Sequence, residues 1–210
     1  MTNVASINVV QAPNNPGQGG GASASLTLSG LVRQTMTYNS ASLAALPSVT
    51  ETVTHTAGGS PVTATYVGVP LWALLNGDGL LTKPAIKNDE LRFYVLATGT
   101  DGYEAAFSLG ELDPAFGGSS TAPDLVAYAQ INAQGVAAPL GPDGFARIIV
   151  PGDAAGGRYV SNLVSLQVLD ATAVPEASSL MLLLSSLAAL IACGRKGPRR
   201  FQLRPGDHVH

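Results

Sequence analysis

Three polar side chains that could bind a ligand lie close together, at Asp101, Tyr103 and Glu104. The runs on either side, Leu91–Ala97 and Tyr103–Leu109, place alternate residues on opposite faces. Two such runs around a short turn that contains Asp-Gly predict a β-hairpin. Because loops held by rigid strands commonly carry function, Asp101 and Tyr103 are candidate ligand-binding residues. A structural role is the alternative, in which Asp101 closes the turn and Tyr103 packs.

The second candidate region is the glycine-rich segment Pro151–Arg158, which contains Asp153. Successive backbone N–H groups in such a segment, with an arginine beside them, can cradle an anion. The alternative interpretation is a glycine-rich turn between two strands. Together with Arg147 upstream, Asp153 and Arg158 are therefore candidate ligand-binding residues. We expect the two arginines to flank this turn and to share one cleft with the candidate residues of the hairpin.

Other kinds of site are disfavoured by the residues that the chain contains. The body has one histidine, His55, and no serine has nucleophile-elbow spacing, so a hydrolase triad is not expected. The single cysteine, Cys193, excludes an intramolecular disulfide and any site that needs several thiolates, and we expect no metal site. Residues 1–176 carry 13 acidic and 6 basic side chains, and this acidic balance argues against a nucleic-acid partner.

The elements that must position these residues are predicted to be mostly strands. Charged residues make up 12% of the chain, with 24 glycines and 14 prolines, which favours a β-rich domain with many turns. Besides the hairpin, strands are predicted at Leu26–Val32, Val49–Thr56, Val62–Val67, Phe145–Val150 and Arg158–Leu169. Helices are predicted at Ser40–Leu46, at Val69–Leu75 with Pro70 at its start, at Ser108–Asp113, and at Leu125–Ile131 with Asp124 as its cap. Residues 26–170 are therefore expected to form one α+β domain.

The two ends of the chain differ from this body. Residues 1–25 contain nothing that could build a core, so they are predicted to be a disordered leader, and residues 171–176 a linker. Residues 177–193 run for 17 residues without a charge and predict one transmembrane helix; a buried helix of the domain is the alternative. The basic tail, residues 194–210, would stay in the cytoplasm and the domain outside. Because residues 1–25 hold no export signal, we expect a leader upstream of Thr2.

The C-terminal segments together resemble a known sorting signal. Val174, Pro175 and Glu176 precede the apolar run, and an arginine-rich end follows it. This order resembles the PEP-CTERM signal of Gram-negative bacteria, although Ala177 stands where that signal has its second proline. The resemblance implies an exosortase-type sorting enzyme as a partner. It also implies passage through the inner membrane, with the domain periplasmic or extracellular at the cell surface.

The body resembles a second family. The matching pieces, in chain order, are LSGLV from Leu28, YVGVPLWALL from Tyr66, ATGTDGYEAAFSLGELD from Ala97, DLVAYAQINAQGVAAPL from Asp124 and ARIIVPGDAAGGRYVSNLVSLQV from Ala146. Their order and spacing are similar to the molybdopterin-binding domain of the sulfite oxidase superfamily. The resemblance implies a β-rich α+β domain with several sheets.

One feature of that family is missing from this chain. The resemblance implies a cysteine thiolate bonded to molybdenum in the region that corresponds to Val53–Gly59, which here offers His55 and no cysteine. Imidazole does not replace a soft thiolate as a ligand. We therefore expect no cofactor, no redox activity, and a module that binds a small molecule or an extracellular partner such as a polysaccharide. The alternatives are an oxidoreductase that holds molybdopterin without a thiolate, and a structural protein of the extracellular matrix.

Overall fold

Two five-stranded sheets make up most of the computed structural model, which describes residue 9 and residues 17–172. The first sheet has the order β2-β1-β10-β5-β6, and its strands are β1 (Leu26–Gly30), β2 (Met36–Tyr38), β5 (Phe93–Gly99), β6 (Glu104–Ser108) and β10 (Leu163–Asp170). The second has the order β3-β4-β7-β8, with β9 also paired to β7, and its strands are β3 (Val49–Ala57), β4 (Ser60–Pro70), β7 (Leu125–Ile131), β8 (Ala137–Pro139) and β9 (Arg147–Ile149).

The first sheet confirms the predicted hairpin, which pairs with the last strand of the domain, β10. Strand β10 lies at the centre, parallel to β1 and antiparallel to β5. Strands β5 and β6 pair from Tyr94 with Ser108 to Thr98 with Glu104. Gly102 takes a φ of +81° in the turn between them, a backbone conformation that glycine adopts without the steric cost of a Cβ atom. The hairpin turn is thus held on a rigid base.

The second sheet corrects the predicted helix at Leu125–Ile131, because this segment is strand β7. Its neighbours are β4 on one side and both β8 and β9 on the other. Leu125, Val126 and Ala127 are all fully buried, so both faces of the strand are covered. An apolar run buried on both faces lacks the alternation of a half-exposed strand, and its periodicity cannot be distinguished from that of a short helix. The predicted cap, Asp124, accepts a hydrogen bond from the Leu71 backbone N–H through its carbonyl group instead.

Three short helices begin where the sequence predicts helix starts. Helix α1 (Ser40–Ala44) follows Asn39, whose side chain accepts a hydrogen bond from the Ser42 N–H. Helix α2 (Leu71–Asp78) follows Pro70, and helix α3 (Leu109–Leu112) follows Ser108, whose hydroxyl accepts from the Glu111 N–H. Turns of 3-10 helix occupy Asp89–Arg92, Gly141–Asp143 and Gly156–Arg158.

The last predicted strand begins later than expected. The sequence pattern predicts extended chain from Arg158, whereas β10 begins at Leu163. Asn162, immediately before it, has a φ of +50°, and the left-handed region interrupts a regular strand. The turn before β10 is therefore available to line a cavity.

Residues 17–25, which belong to the predicted disordered leader, are ordered by hydrogen bonds to the domain. We call them the N-terminal strap. The backbone N–H groups of Gln18 and Gly20 both donate to the Thr100 carbonyl at 2.7 Å, and the Thr100 hydroxyl donates to the Gly21 carbonyl at 2.7 Å. The strap is rich in glycine and has no core of its own, so it is held by these hydrogen bonds to the backbone and the side chain of Thr100. The prediction of a disordered leader therefore does not apply to the strap.

The C-terminal predictions fall outside this part of the molecule. Strand β10 ends at Asp170 and a turn continues to Thr172, while residues 173–210 form no part of the described structure, so the predicted transmembrane helix and basic tail lie beyond it. Within residues 17–172, no helix has the length and apolar character needed to span a bilayer.

Candidate functional site

A polar cavity of about 330 Å³ opens beside the hairpin turn. We call it the hairpin cavity. The hairpin contributes one wall, the strap contributes a glycine, and the turn before β10 contributes the other wall. Its lining residues are Gly21, Thr100, Asp101, Tyr103, Gly156, Tyr159, Ser161 and Asn162. Two of the five candidate ligand-binding residues, Asp101 and Tyr103, therefore lie in one cavity.

Asp101 and Tyr103 both have structural contacts as well as access to this cavity. The Asp101 carboxylate accepts a hydrogen bond from the Tyr103 N–H at 3.0 Å, which closes the turn. The Tyr103 hydroxyl donates to the Gly157 carbonyl at 2.5 Å, and this bond ties the hairpin to the glycine-rich segment. Tyr103 remains 50% exposed, so its ring is not part of the core. The expected packing role of Tyr103 is thus replaced by a bridge across the cavity.

Internal hydrogen bonds use most of the side-chain donors around the hairpin cavity. The Ser161 hydroxyl donates to Asp143 at 2.8 Å, and the Asn162 amide donates to the Pro142 carbonyl at 3.0 Å. The Thr100 and Tyr103 hydroxyls donate to backbone carbonyls, as described above. A hydroxyl that has given its hydrogen can still accept through its lone pairs. The side chains that line this cavity therefore offer a ligand mainly acceptors.

Arg147 lies behind the cavity wall. Its guanidinium donates to Asp143 at 2.5 Å and lies 5.6 Å from the centre of the Tyr159 ring and 6.0 Å from that of Tyr66. Its Nε atom is buried and has no hydrogen-bond partner among the described residues. Burial raises the pKa of Tyr159 to about 12, while the charge of Arg147 acts in the opposite direction. Arg147 thus supports the wall through Tyr159 and is already paired with a carboxylate.

Arg158 lines a different, smaller cavity and forms an ion pair with Asp153. Asp153 accepts two hydrogen bonds from Arg158, at 2.7 and 3.0 Å, and Glu111 accepts a third at 3.0 Å. These bonds raise the pKa of Arg158, with the Asp153 hydrogen bond as the largest cause. The cavity, of about 180 Å³, also includes Asp124, whose pKa burial raises to about 6. Arg158 is therefore bound by carboxylates of the same chain, which favours the turn interpretation of Pro151–Arg158 over an anion cradle.

His55 packs against Tyr159 and Gly156 in the wall of the hairpin cavity, a role that was not predicted. It is only 5% exposed, its ring centre lies 4.4 Å from that of Tyr159, and its Nδ1 atom has no partner among the described residues. A Cβ atom at Gly156 would lie 2.9 Å from the imidazole, so glycine is required for this close approach. The Thr56 N–H donates to the Ala154 carbonyl and joins β3 to the glycine-rich segment.

Sequence reasoning missed the contributions of the strap and of Ser161 and Asn162. Asn162 joins three segments: its side chain accepts from the Ser23 N–H, its carbonyl accepts from the Thr100 N–H, and its own N–H donates to Asp143. Asn162 lies inside the predicted strand Arg158–Leu169, and asparagine tolerates positive φ better than most residues, so its presence there was the available signal for a break in that strand. The strap carries no comparable pattern.

Comparisons with known proteins add the fold and no closer relationship. No protein-family model matches the chain, and no curated protein matches it. Among solved structures, the sulfane dehydrogenase SoxCD from Paracoccus pantotrophus matches with a TM-score of 0.55 and 23% sequence identity. The match covers 74% of this chain and 41% of that protein, so the chain spans less than half of its length. The similarity supports the resemblance to the sulfite-oxidase-type molybdopterin-binding fold.

The residues present do not fit a molybdopterin centre. The one cysteine, Cys193, lies outside the domain, and a soft thiolate is the donor that such a centre requires. Three of the four arginines in residues 17–172, Arg92, Arg147 and Arg158, form ion pairs with carboxylates of the chain, which leaves little positive charge for an anionic pterin. Within the same residues, no group of three or more His, Cys, Asp or Glu side chains could hold a metal ion.

Proposed function

We propose that this domain is a non-redox binding module that holds a neutral, hydroxyl-rich molecule, such as a unit of a polysaccharide, in the hairpin cavity. The proposal rests on the hydrogen bonds that the side chains lining this cavity already make within the chain. Thr100, Tyr103 and Ser161 donate internally and keep lone pairs, and Asp101 adds a carboxylate. A ligand rich in O–H donors complements such a surface, whereas an anion would meet Asp101 and no lining cation.

The proposed loss of redox activity is supported by the donor set and by the charges. Cysteine is absent from residues 1–192, and His55 is packed against Tyr159 and Gly156. Arg147 and Arg158 already form ion pairs with carboxylates. Recruiting either arginine to an anionic cofactor would break its ion pair and leave a carboxylate without a cation, which is destabilising.

We also propose that the module acts at the cell surface. The support is the order of segments at the C-terminus: the Val174–Glu176 motif, the apolar run at residues 177–193 and the basic tail. This part of the proposal is tested by topology. Reporters that are active only in the periplasm, fused at residue 172 and at residue 210 of the native gene product, should be active and inactive, respectively. Activity at both points, or at neither, would contradict it.

The binding proposal is tested by calorimetry on the full-length chain in a nonionic detergent. The probes are neutral oligosaccharides of glucose, galactose, mannose and N-acetylglucosamine, with a glucuronate oligosaccharide as the anionic counterpart. We expect one neutral series to bind and the uronate to bind more weakly. Asp101→Asn should weaken binding about tenfold, because a hydrogen bond to a charged group is lost while the turn-closing acceptor is kept. Glu51→Gln on β3 is the matched control and should bind as the parent does.

The redox part is tested independently of the ligand. The full-length chain is produced in a host that makes the molybdenum cofactor, and the purified protein is analysed for molybdenum and for released pterin. We expect neither above the level of the buffer. One molybdenum and one pterin per chain would contradict the proposal and would support the alternative of an oxidoreductase without a thiolate ligand. Failure of every oligosaccharide to bind would contradict the binding proposal alone.

A further inference from the structure

A second cavity, of about 410 Å³, lies on the outer side of helix α2 and is independent of the hairpin cavity. We call it the α2 cavity. Its lining combines one aromatic ring, one amide, one arginine and three carboxylates, and the residues are Arg33, Trp72, Asn76, Gly77, Asp78, Gly79, Leu80, Thr82, Glu90 and Asp113. Trp72 and Asn76 stand one helical turn apart, so they present the indole and the amide on the same side of α2. Cavities of this volume lie within the range of small-molecule sites.

The charges of the α2 cavity are unbalanced. Asp78, Glu90 and Asp113 face one cation, Arg33, and none of the four forms an ion pair within residues 17–172. Asp78 accepts a hydrogen bond from the Tyr38 hydroxyl at 2.6 Å, and Asp113 accepts one from the Ala115 N–H at 2.8 Å. These neutral donors orient two of the carboxylates without neutralising them. The cavity therefore has a net negative charge that a ligand can balance.

The spacing of the carboxylates decides what kind of cation fits. They line one cavity, yet no three acidic side chains in the described part of the chain lie close enough together to hold a metal ion. A compact ion such as Mg²⁺ needs several oxygen ligands at about 2.1 Å around one point. An elongated cation with separate charged groups can instead reach carboxylates that are far apart.

Trp72 adds a preference for an organic cation over a hydrated one. It is the only tryptophan in the chain, and it packs partly against the core while also lining the cavity. The indole face attracts an ammonium group within about 6 Å of its centre, and tryptophan is the best of the aromatic side chains in this role. The methylene groups of an alkyl amine also gain from contact with the ring.

Arg33 is fixed at one side of this cavity. Its backbone N–H donates to the Gly79 carbonyl at 2.9 Å, and its side chain packs so closely on Gly79 that a Cβ atom there would lie 2.9 Å from Arg33 Cδ. The positive charge of Arg33 repels ammonium groups from this side. The favourable positions for positive charge are therefore beside Trp72, Glu90 and Asp113.

From this lining, we propose that the α2 cavity binds an aliphatic amine with two or more ammonium groups. The indole of Trp72 contacts one ammonium group, and the carboxylates of Glu90 and Asp113 contact the others. This site is separate from the polysaccharide site proposed above and stands or falls without it.

The test uses the full-length chain in a nonionic detergent at low ionic strength, with spermidine as the probe. Trp72 is the only tryptophan, so a change in indole fluorescence reports directly on this cavity. We expect saturable binding that changes the fluorescence and weakens as salt is added. Mg²⁺ at the same concentration and the uncharged 1,4-butanediol should not compete.

Variants then locate the binding site. Glu90→Gln and Asp113→Asn should each weaken spermidine binding about threefold or more by calorimetry, and Trp72→Phe should weaken it about threefold because phenylalanine attracts cations less strongly. Glu51→Gln on β3, which lines neither cavity, is the matched control and should bind spermidine as the parent does. Absence of saturable binding, equal competition by Mg²⁺, or equal binding by all four variants would overturn the proposal. Failure of the saccharide site would leave these results unchanged.

Discussion

The glycine-rich segment Pro151–Arg158 and the α2 cavity contain similar charged side chains that have opposite surroundings. In the segment, Arg158 is bound by Asp153 and Glu111, so both signs of charge are satisfied within the chain. Around the α2 cavity, Arg33 and three carboxylates share one space without an ion pair among the described residues. The sequence suggested that the first region binds charged ligands, whereas the structure favours the second.

The difference shows what a charged residue near a loop does and does not indicate. A paired arginine contributes to stability, and removing it leaves carboxylates unbalanced. An unpaired carboxylate at a cavity contributes little to stability and remains available for binding. Stability and binding measurements on matched variants of the two regions should therefore give opposite patterns.

The largest expected effect is at Arg158. Arg158→Met removes three charged hydrogen bonds and leaves Asp153, Glu111 and Asp124 close together without a cation. Since the arginine side chain is 37% exposed, we expect a loss of about 2 kcal/mol in the free energy of unfolding rather than the full value for a buried pair. Urea unfolding followed by Trp72 fluorescence measures it. Arg33→Met is the control, and a loss there as large as that of Arg158→Met would remove the contrast.

The next effect depends on pH and concerns Asp124. Burial raises its pKa from 3.8 to about 6, so the folded state keeps a proton that the unfolded state has released, and stability falls as pH rises between these values. The full shift in pKa corresponds to about 3 kcal/mol in the free energy of unfolding. Because the Asp124 side chain is partly exposed, we expect about 1.5 kcal/mol of this. Asp124→Asn should therefore be more stable than the parent by about 1.5 kcal/mol at pH 8.

At pH 3, the advantage of Asp124→Asn over the parent should disappear, because both states of the parent are then protonated. Urea unfolding at the two pH values measures the difference. An equal difference at both values would show that the substitution acts through packing or hydrogen bonding and not through ionisation.

A smaller effect distinguishes two neighbouring glycines of the segment. Gly156→Ala places a Cβ atom 2.9 Å from the buried His55 imidazole, whereas Gly157→Ala meets no atom within 4 Å. We expect the first substitution to cost about 1 kcal/mol by overpacking and the second to be nearly neutral. Thermal unfolding of the two variants gives the comparison. Equal melting temperatures would mean that the imidazole moves to accept the added Cβ atom and that the segment is packed less tightly than the 2.9 Å approach indicates.

The smallest effect is expected at the α2 cavity. Glu90→Gln and Asp113→Asn remove negative charges that have no ion pair within residues 17–172, so each should change the free energy of unfolding by no more than about 0.5 kcal/mol. Urea unfolding of the two variants measures it. A loss comparable to that of Arg158→Met would show that these carboxylates are structural, and it would weaken the contrast between the two regions.

Local sequence patterns predicted the elements that depend on local physics. The hairpin follows from alternation and its Asp-Gly turn, and α2 follows from Pro70 and the apolar spacing after it. Leu125–Ile131 could not be assigned correctly, because burial on both faces comes from partners distant in the chain. The order of the strap has the same origin, since it depends on Thr100 and Asn162.

The candidate site was predictable to a similar extent. Asp101 and Tyr103 lie in a cavity against the glycine-rich segment, as expected from a loop on a rigid hairpin. Arg147 and Arg158 do not line that cavity, and carboxylates of the chain bind both of them. Asp143 and Asp153 are close to their arginines in the sequence, whereas Glu111 reaches Arg158 only through the tertiary fold. Trp72 packs partly against the core, and its place in the α2 cavity depends on Glu90 and Asp113, which only folding brings near.

The central place of β10 in the first sheet has a consequence for how the domain forms. Its partners are β1, nearly 140 residues earlier, and β5, about 70 residues earlier, so the sheet stays split until Asp170 has left the ribosome. Contacts this distant in sequence slow folding, and an incomplete sheet exposes unpaired strand edges. A nascent chain stalled before residue 163 would therefore be a target for chaperones and proteases. Any machinery that receives the protein before that point meets a chain whose first sheet is incomplete.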